Sequence, residues 1–419
     1  MSKSNGQLSP AGVWALAAGG MVGGGIYTVL GVAIAVAGQW TWFSFLFTGI
    51  IALCSAYSYV FLSNKFSKSG GAFAFLEKVE NESLAGGLSW LLILGYILTI
   101  SVYAYAFGHY ISFSFHGSTL IIRILAAAIL LLLIGLNLLG VGKLTRVEIV
   151  IVSLNLLVLL ILGIYGVSNW DQPQLIAGME PRPFWSGIFG GAAIFMAFEG
   201  FQLLSYEYDK IKEPGKYFMP VLLLAVTFVI LVYILVALGA TFLGGAANMI
   251  NFKQIALSVA AMKAIGTPGI IVMTIAAGLA TAAAINSTLF STSNLSRKIA
   301  DKNELPKWFD HTNSHDVPDR AVIMWGTLAA VFAVIGSLSS LVEAASLVFL
   351  ITFGIVNWLA YKEEGSKKWI PIIGIAFGAI TAIALLFRLL IARPWSLAFL
   401  LALMFIIIFV RPYILKRIS

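Results

Sequence analysis

Charged residues are scarce in this chain. They make up 11% of its 419 residues, and none lies between Ser4 and Asn64. Hydrophobic residues make up 60%, and the mean hydropathy is +0.96. A soluble domain needs a polar surface, so this composition excludes a soluble globular protein and indicates a membrane protein.

Cysteine and histidine are also rare. The single cysteine, Cys54, has no intramolecular disulfide partner, and the four histidines show no zinc-ligand spacing. Nucleotide-binding loops of the Walker type are absent, and no His/Asp/Glu cluster lies in the apolar runs. We therefore expect no metal, no cofactor, no enzymatic activity and no obligatory protein partner.

Twelve apolar segments are long enough to be predicted as transmembrane helices within one polytopic membrane domain, residues 1–419. They are centred on residues 10–37, 40–63, 84–112, 119–139, 146–168, 184–208, 217–243, 265–295, 321–338, 340–361, 369–389 and 394–412. The first segment is long, rich in glycine and without a small-residue cleavage site, so we expect no cleavable signal peptide.

The positive charges predict the orientation in the membrane. With a cytoplasmic N-terminus, twenty of the 26 lysine and arginine residues fall on the inner side. This bias follows the positive-inside rule, so we expect a multi-pass protein of the cell membrane with both termini in the cytoplasm. The rule also explains the net charge of +8, which therefore gives no indication of nucleic-acid binding.

The first span contains an unusual glycine cluster. Five of the seven residues from Gly19 to Gly25 are glycine, and each costs roughly 1 kcal/mol of helix stability relative to alanine. Non-helical backbone inside a membrane is tolerated where it is buried in protein or lines a cavity, as in the broken helices of secondary transporters. Close helix packing through small residues is the alternative interpretation.

The sixth span repeats the signal, because residues 187–202 combine glycines with the carboxylate Glu199. Counting five spans from each interrupted helix gives two repeats, residues 10–168 and 184–361. Since five is odd, the second repeat has the opposite orientation in the membrane. Interrupted helices at matching positions of inverted repeats indicate a binding site near the midplane. Residues 369–412 then form two peripheral helices.

Between the seventh and eighth spans lies a long connection, residues 244–264, with apolar residues at helical spacing. Two interpretations are open: a re-entrant or lid-like helix, and a passive loop.

Three motifs carry a resemblance to a known family. They are G-M-V-G-G-G-I-Y at 20–27, F-M-A-F-E-G-F at 195–201, and A-I-N-S-T-L-F at 284–290 followed by A-D-K-N-E-L-P at 300–306. The chain resembles the amino acid–polyamine–organocation (APC) superfamily, and is similar within it to the small prokaryotic amino acid transporters typified by ApcT. The resemblance implies an all-α membrane fold of the LeuT type: a 5+5 inverted repeat of twelve transmembrane helices, with the first and sixth interrupted and two peripheral.

The resemblance also implies a substrate site. It places the carboxylate of an amino acid against the backbone of Gly23, Gly24 and Gly25, where amide groups and the helix dipole favour an anion. The ammonium and side-chain contacts would come from five residues: carbonyls of Met21, Ala193 and Met196, with the rings of Phe195 and Phe198 around the side chain.

Glu199 lies at the second interruption, and ionisable residues inside the membrane are costly and usually functional. It is predicted either to cap the second half-helix or to carry a proton in a gating step. Glu343, near the outer end of the tenth span, is expected to be solvated or to line a gate.

The residues expected to bind the coupling ion differ from the pattern of the resembling family. Proton-coupled relatives have a lysine in the fifth helix, at the position that aligns with Asn155. The alternative sodium site would use carbonyls of Gly19, Val22 and Ala277 with the hydroxyl of Thr281. Asn155 could also make an ordinary interhelical hydrogen bond. Proton coupling through Glu199, sodium coupling and uncoupled exchange all remain open.

The predicted function is secondary active transport of amino acids by alternating access. A neutral substrate is favoured, because Glu199 is the one candidate partner for a charged side chain. Transport of polyamines or other organic cations is the alternative within the superfamily. A receptor is disfavoured by the lack of a signalling domain, and a channel by the lack of a repeated filter sequence.

Overall fold

The computed structural model of the chain is all-helical. It describes residues 8–67, 69–79, 82–115, 117–140, 145–407 and 411. Within these residues the β-structure consists of one isolated parallel bridge between Leu8 and Ile211. There the Leu8 amide donates to the Lys210 carbonyl at 2.7 Å, and the Lys212 amide donates to the Leu8 carbonyl at 3.0 Å.

The described α-helices follow the predicted spans closely, with short helices in the connections. Their bounds are α1 Pro10–Val22, α2 Gly25–Ala37, α3 Thr41–Phe66, α4 Gly71–Val79, α5 Glu82–Phe113, α6 Thr119–Leu138, α7 Thr145–Ser168, α8 Ser186–Ile194, α9 Pro214–Gly244, α10 Ala246–Asn251, α11 Ala256–Ile265, α12 Thr267–Asp301, α13 Asp319–Ile335, α14 Leu338–Lys362, α15 Trp369–Ala392 and α16 Pro394–Phe405.

Nine segments among the described residues are long and apolar enough to span a membrane. One of them, Pro10–Phe66, contains two of the predicted spans, because α1, α2 and α3 follow each other almost without a break. The α13 helix has 17 residues and α16 has 12 described residues, so both are short for a span. The chain is thus a multi-helix membrane protein, and the twelve-span arrangement stays a prediction.

The helix α5 lies at the centre of the bundle, packed against α12 and α14. Its residues Tyr96, Tyr103 and Tyr110, spaced by seven, are fully buried and bring phenol groups to the core at three depths. At the periphery, α6, α7 and α15 expose large apolar side chains, such as Leu131 and Ile383. An apolar exterior around a partly polar core suits a protein whose outer solvent is lipid.

The connection at 244–264 is largely helical and packed, which favours the lid-like interpretation over the passive loop. Its helices α10 and α11 lie against α2 and α9. Between them, Lys253 brings its backbone so close to Gly31 that a Cβ atom there would overlap it. Leu257 and Ala260 of α11 are fully buried.

The expectation that Glu343 is solvated is wrong, and a gate-lining role stays a prediction. Its side chain is fully buried on α14, and it forms ion pairs with Arg388 of α15 at 3.1 Å and with Arg393 at 3.5 Å. Although Glu343 is only the sixth residue of α14, α15 and Arg393 directly after it pack over this end of the helix and bury the carboxylate.

Candidate substrate and coupling-ion site

The interruption in the first span is short. The helix α1 ends at Val22 and α2 begins at Gly25, and Gly23 still donates to the Gly19 carbonyl at 2.7 Å. The break lies at Gly24, whose φ of −128° and ψ of −18° turn the chain out of the helix. Gly24 makes no side-chain cap to α2, so the first amide groups of α2 have no partner from a capping side chain.

The glycines at this break allow close approach of neighbouring groups. A Cβ atom at Gly24 would overlap the ring of Tyr103, and one at Gly25 would overlap the Tyr233 hydroxyl. The same Cβ atom at Gly25 would lie 2.8 Å from the carbonyl oxygen of Ala197. Glycine is required at both positions, because a side chain at either one would displace the surrounding helices.

The interruption in the sixth span is longer and more irregular. After α8 a 3₁₀ turn covers Phe195–Phe198, and then Glu199 is extended and Gly200 has a φ of +124°. A second 3₁₀ segment, Phe201–Lys210, completes the span. The Gly200 backbone packs against the backbone of Gly20 in α1, four residues before the first break, and Gly25, directly after that break, lies against Ala197 of the second break.

One hydroxyl group joins the two interruptions. Tyr233 of α9 lies 2.7 Å from the carbonyl oxygen of Met21 and 2.9 Å from that of Ala197, and donates to this pair. Ser346 of α14 stabilises the second break in a similar way. Its hydroxyl donates to the Ala193 carbonyl at 3.0 Å and accepts from the Met196 amide at 3.1 Å.

Glu199 is buried and hydrogen-bonded through both oxygens. The amide of Gln202 donates to Oε1 at 3.2 Å, and the Tyr103 hydroxyl lies 3.5 Å from Oε2. Among the described residues no lysine, arginine or histidine forms an ion pair with it. The backbone amide of Gly200 donates to Gln202 Oε1 at 2.9 Å. Gln202 therefore makes the capping hydrogen bond at this point, and Glu199 does not.

The Gln202 amide also lies 3.4 Å from the Tyr96 hydroxyl, which in turn pairs with the Tyr206 hydroxyl at 2.7 Å. Gln202, Tyr103, Tyr233 and Ser346 were not singled out from the sequence. For Tyr103 a signal existed in the seven-residue spacing of tyrosines along α5. For Tyr233 and Ser346 no local pattern indicates the contact.

A cavity of about 390 Å³ lies beside the first break. It runs between α1, α7, α12 and the segment Phe201–Lys210, toward the end of the bundle where α1 and α7 begin and α12 ends. We call this end the basic end, because the predicted inner-side lysines and arginines belong to it. Of the predicted site residues, the cavity is lined by Gly19, Val22, Gly23 and Asn155.

The other predicted site residues are buried in protein near the breaks. This set comprises Met21, Gly24, Gly25, Ala193, Phe195, Met196, Phe198, Glu199, Ala277 and Thr281. The Phe195 ring packs edge-on against Phe353 with ring centroids 5.5 Å apart, and Phe198 packs against Tyr233 at 5.3 Å. In this conformation both rings serve packing, and the predicted substrate position is closed.

The predicted coupling residues also find partners within the protein. Tyr27 donates to Asn155 Oδ1 at 3.0 Å, which is the interhelical hydrogen bond considered for Asn155. The Thr281 hydroxyl donates to the carbonyl of Ala277 at 2.6 Å within its own helix. The structure does bring α1 beside α12, since Gly23 lies close to Ala280 and Ala284.

The sequence profile of the amino acid permease family matches residues 8–414. The chain belongs to the amino acid permease family. This permease is 30% identical over 366 residues to the inner membrane transport protein YbaT of Escherichia coli, with 84% of this chain and 83% of the relative covered. It is 27% identical over 401 residues to an uncharacterized protein of Methanocaldococcus jannaschii, covering 94% and 91%.

A more distant relative of the permease is the mitochondrial cationic amino acid transporter 3 of Arabidopsis thaliana. The two are 24% identical over 368 residues, which cover 82% of this chain and 59% of the relative. The predicted resemblance to the APC superfamily is confirmed by the family match. This protein is therefore a multi-pass membrane permease and not an enzyme.

Proposed function

We propose that this permease moves neutral amino acids across the cell membrane by alternating access, with the substrate held by the interrupted backbones of the first and sixth spans. The observation that carries the proposal is the close approach of the two breaks, with Gly25 against Ala197, beside a cavity that reaches Gly23. Two broken helices meeting at one point supply both polarities that an amino acid head group needs.

The carboxylate of the substrate would bind at the start of α2. This helix has 13 residues, and its N-cap Gly24 contributes no side-chain hydrogen bond, so its first amide groups are suited to an anion. The ammonium would bind the carbonyls of Met21, Ala193 and Met196. Each of these accepts one hydrogen bond from the protein and keeps a second lone pair.

Neutral specificity follows from the surroundings of the second break. Phe195 and Phe198 supply apolar surface, and both oxygens of Glu199 are engaged by neutral donors. A cationic side chain would have to displace those donors. The name of the Arabidopsis relative supports one alternative, transport of cationic amino acids. Transport of polyamines or other organic cations is the other alternative.

Competition assays separate these substrates. Purified protein in liposomes is screened by counterflow with all twenty amino acids, and with putrescine and spermidine as polyamine probes. We expect neutral amino acids to drive exchange at least tenfold better than arginine, lysine, glutamate or aspartate, which is about 1.4 kcal/mol of selectivity. Exchange dominated by arginine, lysine or a polyamine would overturn the proposal that the site prefers neutral substrates.

The conformation described above would be the inward-facing state. The cavity leads to the basic end, which the positive-inside rule assigns to the cytoplasm. Toward the other end, Tyr27, Phe195 and the packed helices α10 and α11 cover the breaks. Closing the cavity and opening this cover would complete the transport cycle.

For coupling we propose proton linkage through Glu199. A buried carboxylate without a cationic partner is costly in the charged form, and a proton removes that cost. We expect an inward proton gradient to accelerate uptake in sodium-free vesicles, and Glu199→Gln to abolish the acceleration while exchange persists.

Thr281→Ala is the matched variant for the sodium alternative, since it removes the predicted ligand and leaves Glu199 in place. Uptake that requires sodium, ignores the pH gradient and collapses in Thr281→Ala would show that the proton proposal is wrong. Uptake that ignores both gradients would indicate an uncoupled exchanger.

A further inference from the structure

The cavity carries opposite charges at its basic end. Glu148 of α7 lines it, and so do Glu207 and Lys210, which are ion-paired with each other at the end of the sixth span. The remaining lining groups are apolar or small, with the hydroxyls of Ser287 and Ser291 on α12.

Glu148 is the part of this arrangement that lacks a strong partner. It lies in the first turn of α7, where the helix dipole favours a carboxylate. Asn286 of α12 is a hydrogen-bond partner of its carboxyl group, and Asn286 is itself held by the Asn137 amide at 2.8 Å. Yet Oε1 of Glu148 is enclosed and accepts no hydrogen bond from any described group, so this carboxylate is incompletely satisfied and a further donor would stabilise it.

Lys210 is available for a second partner. Its side chain is 61% exposed and that of Glu207 is 31% exposed, so their ion pair is a weak, solvent-screened one. A carboxylate that enters the cavity can therefore replace Glu207 on Lys210 at little cost. Glu148 offers the complementary acceptor on α7, on another wall of the same cavity.

We propose that the basic end of the cavity is a second substrate subsite, which binds the zwitterionic head group of an amino acid before it reaches the breaks or after it leaves them. The ammonium binds the Glu148 carboxylate and the substrate carboxylate binds Lys210. The proposal rests on the proposed function, because it assumes that amino acids pass through this cavity.

The geometry connects this subsite to the breaks. Asn155 lies seven residues beyond Glu148 on the same helix, and both line the cavity. Seven residues of α-helix rise about 10 Å, so the two positions share a face two turns apart. An amino acid at Glu148 therefore needs one short step along α7 to reach the level of Gly23, which lines the same cavity.

The test measures half-saturation separately at each face of the membrane. Inside-out and right-side-out membrane vesicles are used, with the radiolabelled amino acid that exchanges fastest in the twenty-member counterflow screen. Glu148→Gln and Lys210→Gln should each raise KM at the cytoplasmic face about fivefold, the scale of one charge-assisted hydrogen bond in a wet cavity, and leave KM at the outer face unchanged.

Asp301→Asn is the matched control. It removes a carboxylate at the end of α12, at the same end of the bundle, from a residue that does not line the cavity. Its KM values should match the wild type at both faces. A cytoplasmic KM raised equally by all three variants would mean a general loss of surface charge and would overturn the subsite.

Head-group analogues sharpen the assignment of the two contacts. The methyl ester of the same amino acid lacks the carboxylate, so its inhibition at the cytoplasmic face should respond to Glu148→Gln and ignore Lys210→Gln. The α-hydroxy acid analogue lacks the ammonium and should show the reverse pattern. Inhibition of both analogues that ignores both variants would overturn the proposal.

Two further results have distinct meanings. Glu148→Gln that removes acceleration by a proton gradient without changing KM would overturn the subsite and make Glu148 a coupling group. Wild-type protein that moves none of the twenty amino acids would instead refute the proposed function, whatever the variants do.

Discussion

The two interruptions solve the same problem, non-helical backbone inside a membrane protein, by different means. The first break is confined to Gly23 and Gly24 and remains close to helical geometry. The second runs from Phe195 to Gly200 and leaves helical geometry completely at Glu199 and Gly200. The first break depends on glycines, which leave room for neighbouring groups. The second depends on side chains that form hydrogen bonds with the backbone groups freed from the helix.

This difference predicts different responses to substitution. At the first break the neighbours Tyr103, Tyr233 and Ala197 occupy the space where a side chain would go, so any added atom must displace a packed helix. At the second break each contact is one hydrogen bond among several, so its loss costs a limited amount. We expect abrupt losses where a glycine of a break gains a side chain, and graded ones where a single hydrogen-bonding side chain is removed.

The largest effect is expected for Gly25→Ala. The new Cβ atom would overlap the Tyr233 hydroxyl and lie 2.8 Å from the Ala197 carbonyl oxygen. Uptake into proteoliposomes should fall by about 100-fold or more, because a displacement of about 1 Å at a binding site can cost that much. Gly354→Ala is the matched control, since a Cβ atom there meets nothing within 4 Å. If Gly25→Ala takes up substrate as fast as the wild type, the first break is not part of the substrate site.

The next effect is expected for Gly200→Ala, where the second break packs against α1. Its φ of +124° strains any other residue by about 1–3 kcal/mol, and the Cβ atom would also overlap the Gly20 backbone. We expect a lower melting temperature and uptake reduced by more than tenfold. Gly266→Ala separates the two causes, because its φ is +71° but its Cβ atom would be free. If both variants lose the same amount of uptake and thermal stability, the effect of Gly200→Ala is due to backbone strain alone.

A smaller effect is expected for Tyr233→Phe, which removes the hydroxyl shared by Met21 and Ala197. Leaving two buried carbonyls without this donor costs about 1–2 kcal/mol, so kcat/KM for uptake should fall about tenfold. Tyr59→Phe is the control, because the Tyr59 hydroxyl is buried and has no hydrogen-bond partner among the described groups. Equal activity in the two variants would show that the breaks do not depend on being joined.

The smallest effect is expected for Ser346→Ala, which removes one of several contacts at the second break. Loss of its two hydrogen bonds to Ala193 and Met196 should lower kcat/KM for uptake about threefold, or about 0.7 kcal/mol. Ser258→Ala removes a buried hydroxyl without a partner among the described groups and should be neutral. A loss in Ser346→Ala as complete as that in Gly25→Ala would contradict the graded response.

Much of the fold could be predicted from the sequence, because hydrophobic length and glycine clustering are local signals. The predicted span 119–139 corresponds to α6 Thr119–Leu138, and 217–243 corresponds to α9 Pro214–Gly244. The break near Gly24 could be located because five glycines in seven residues are incompatible with a plain helix.

The partners of the breaks could not be predicted, because they are brought in by folding. Tyr233 lies 212 residues from Met21, and Ser346 lies 153 residues from Ala193. Nothing in the local pattern of α9 or α14 distinguishes these hydroxyls from ordinary core residues. The error at Glu343 has the same origin, since its arginine partners belong to the following helix and its end.

The bridge at Leu8 has a mechanical consequence. Its two hydrogen bonds staple the chain just ahead of α1 to the end of the segment Phe201–Lys210. The start of one broken span and the end of the other are therefore held together, and a motion that separates them would have to break these two hydrogen bonds. Two backbone hydrogen bonds contribute only about 1–3 kcal/mol, so this connection restrains such a motion without forbidding it.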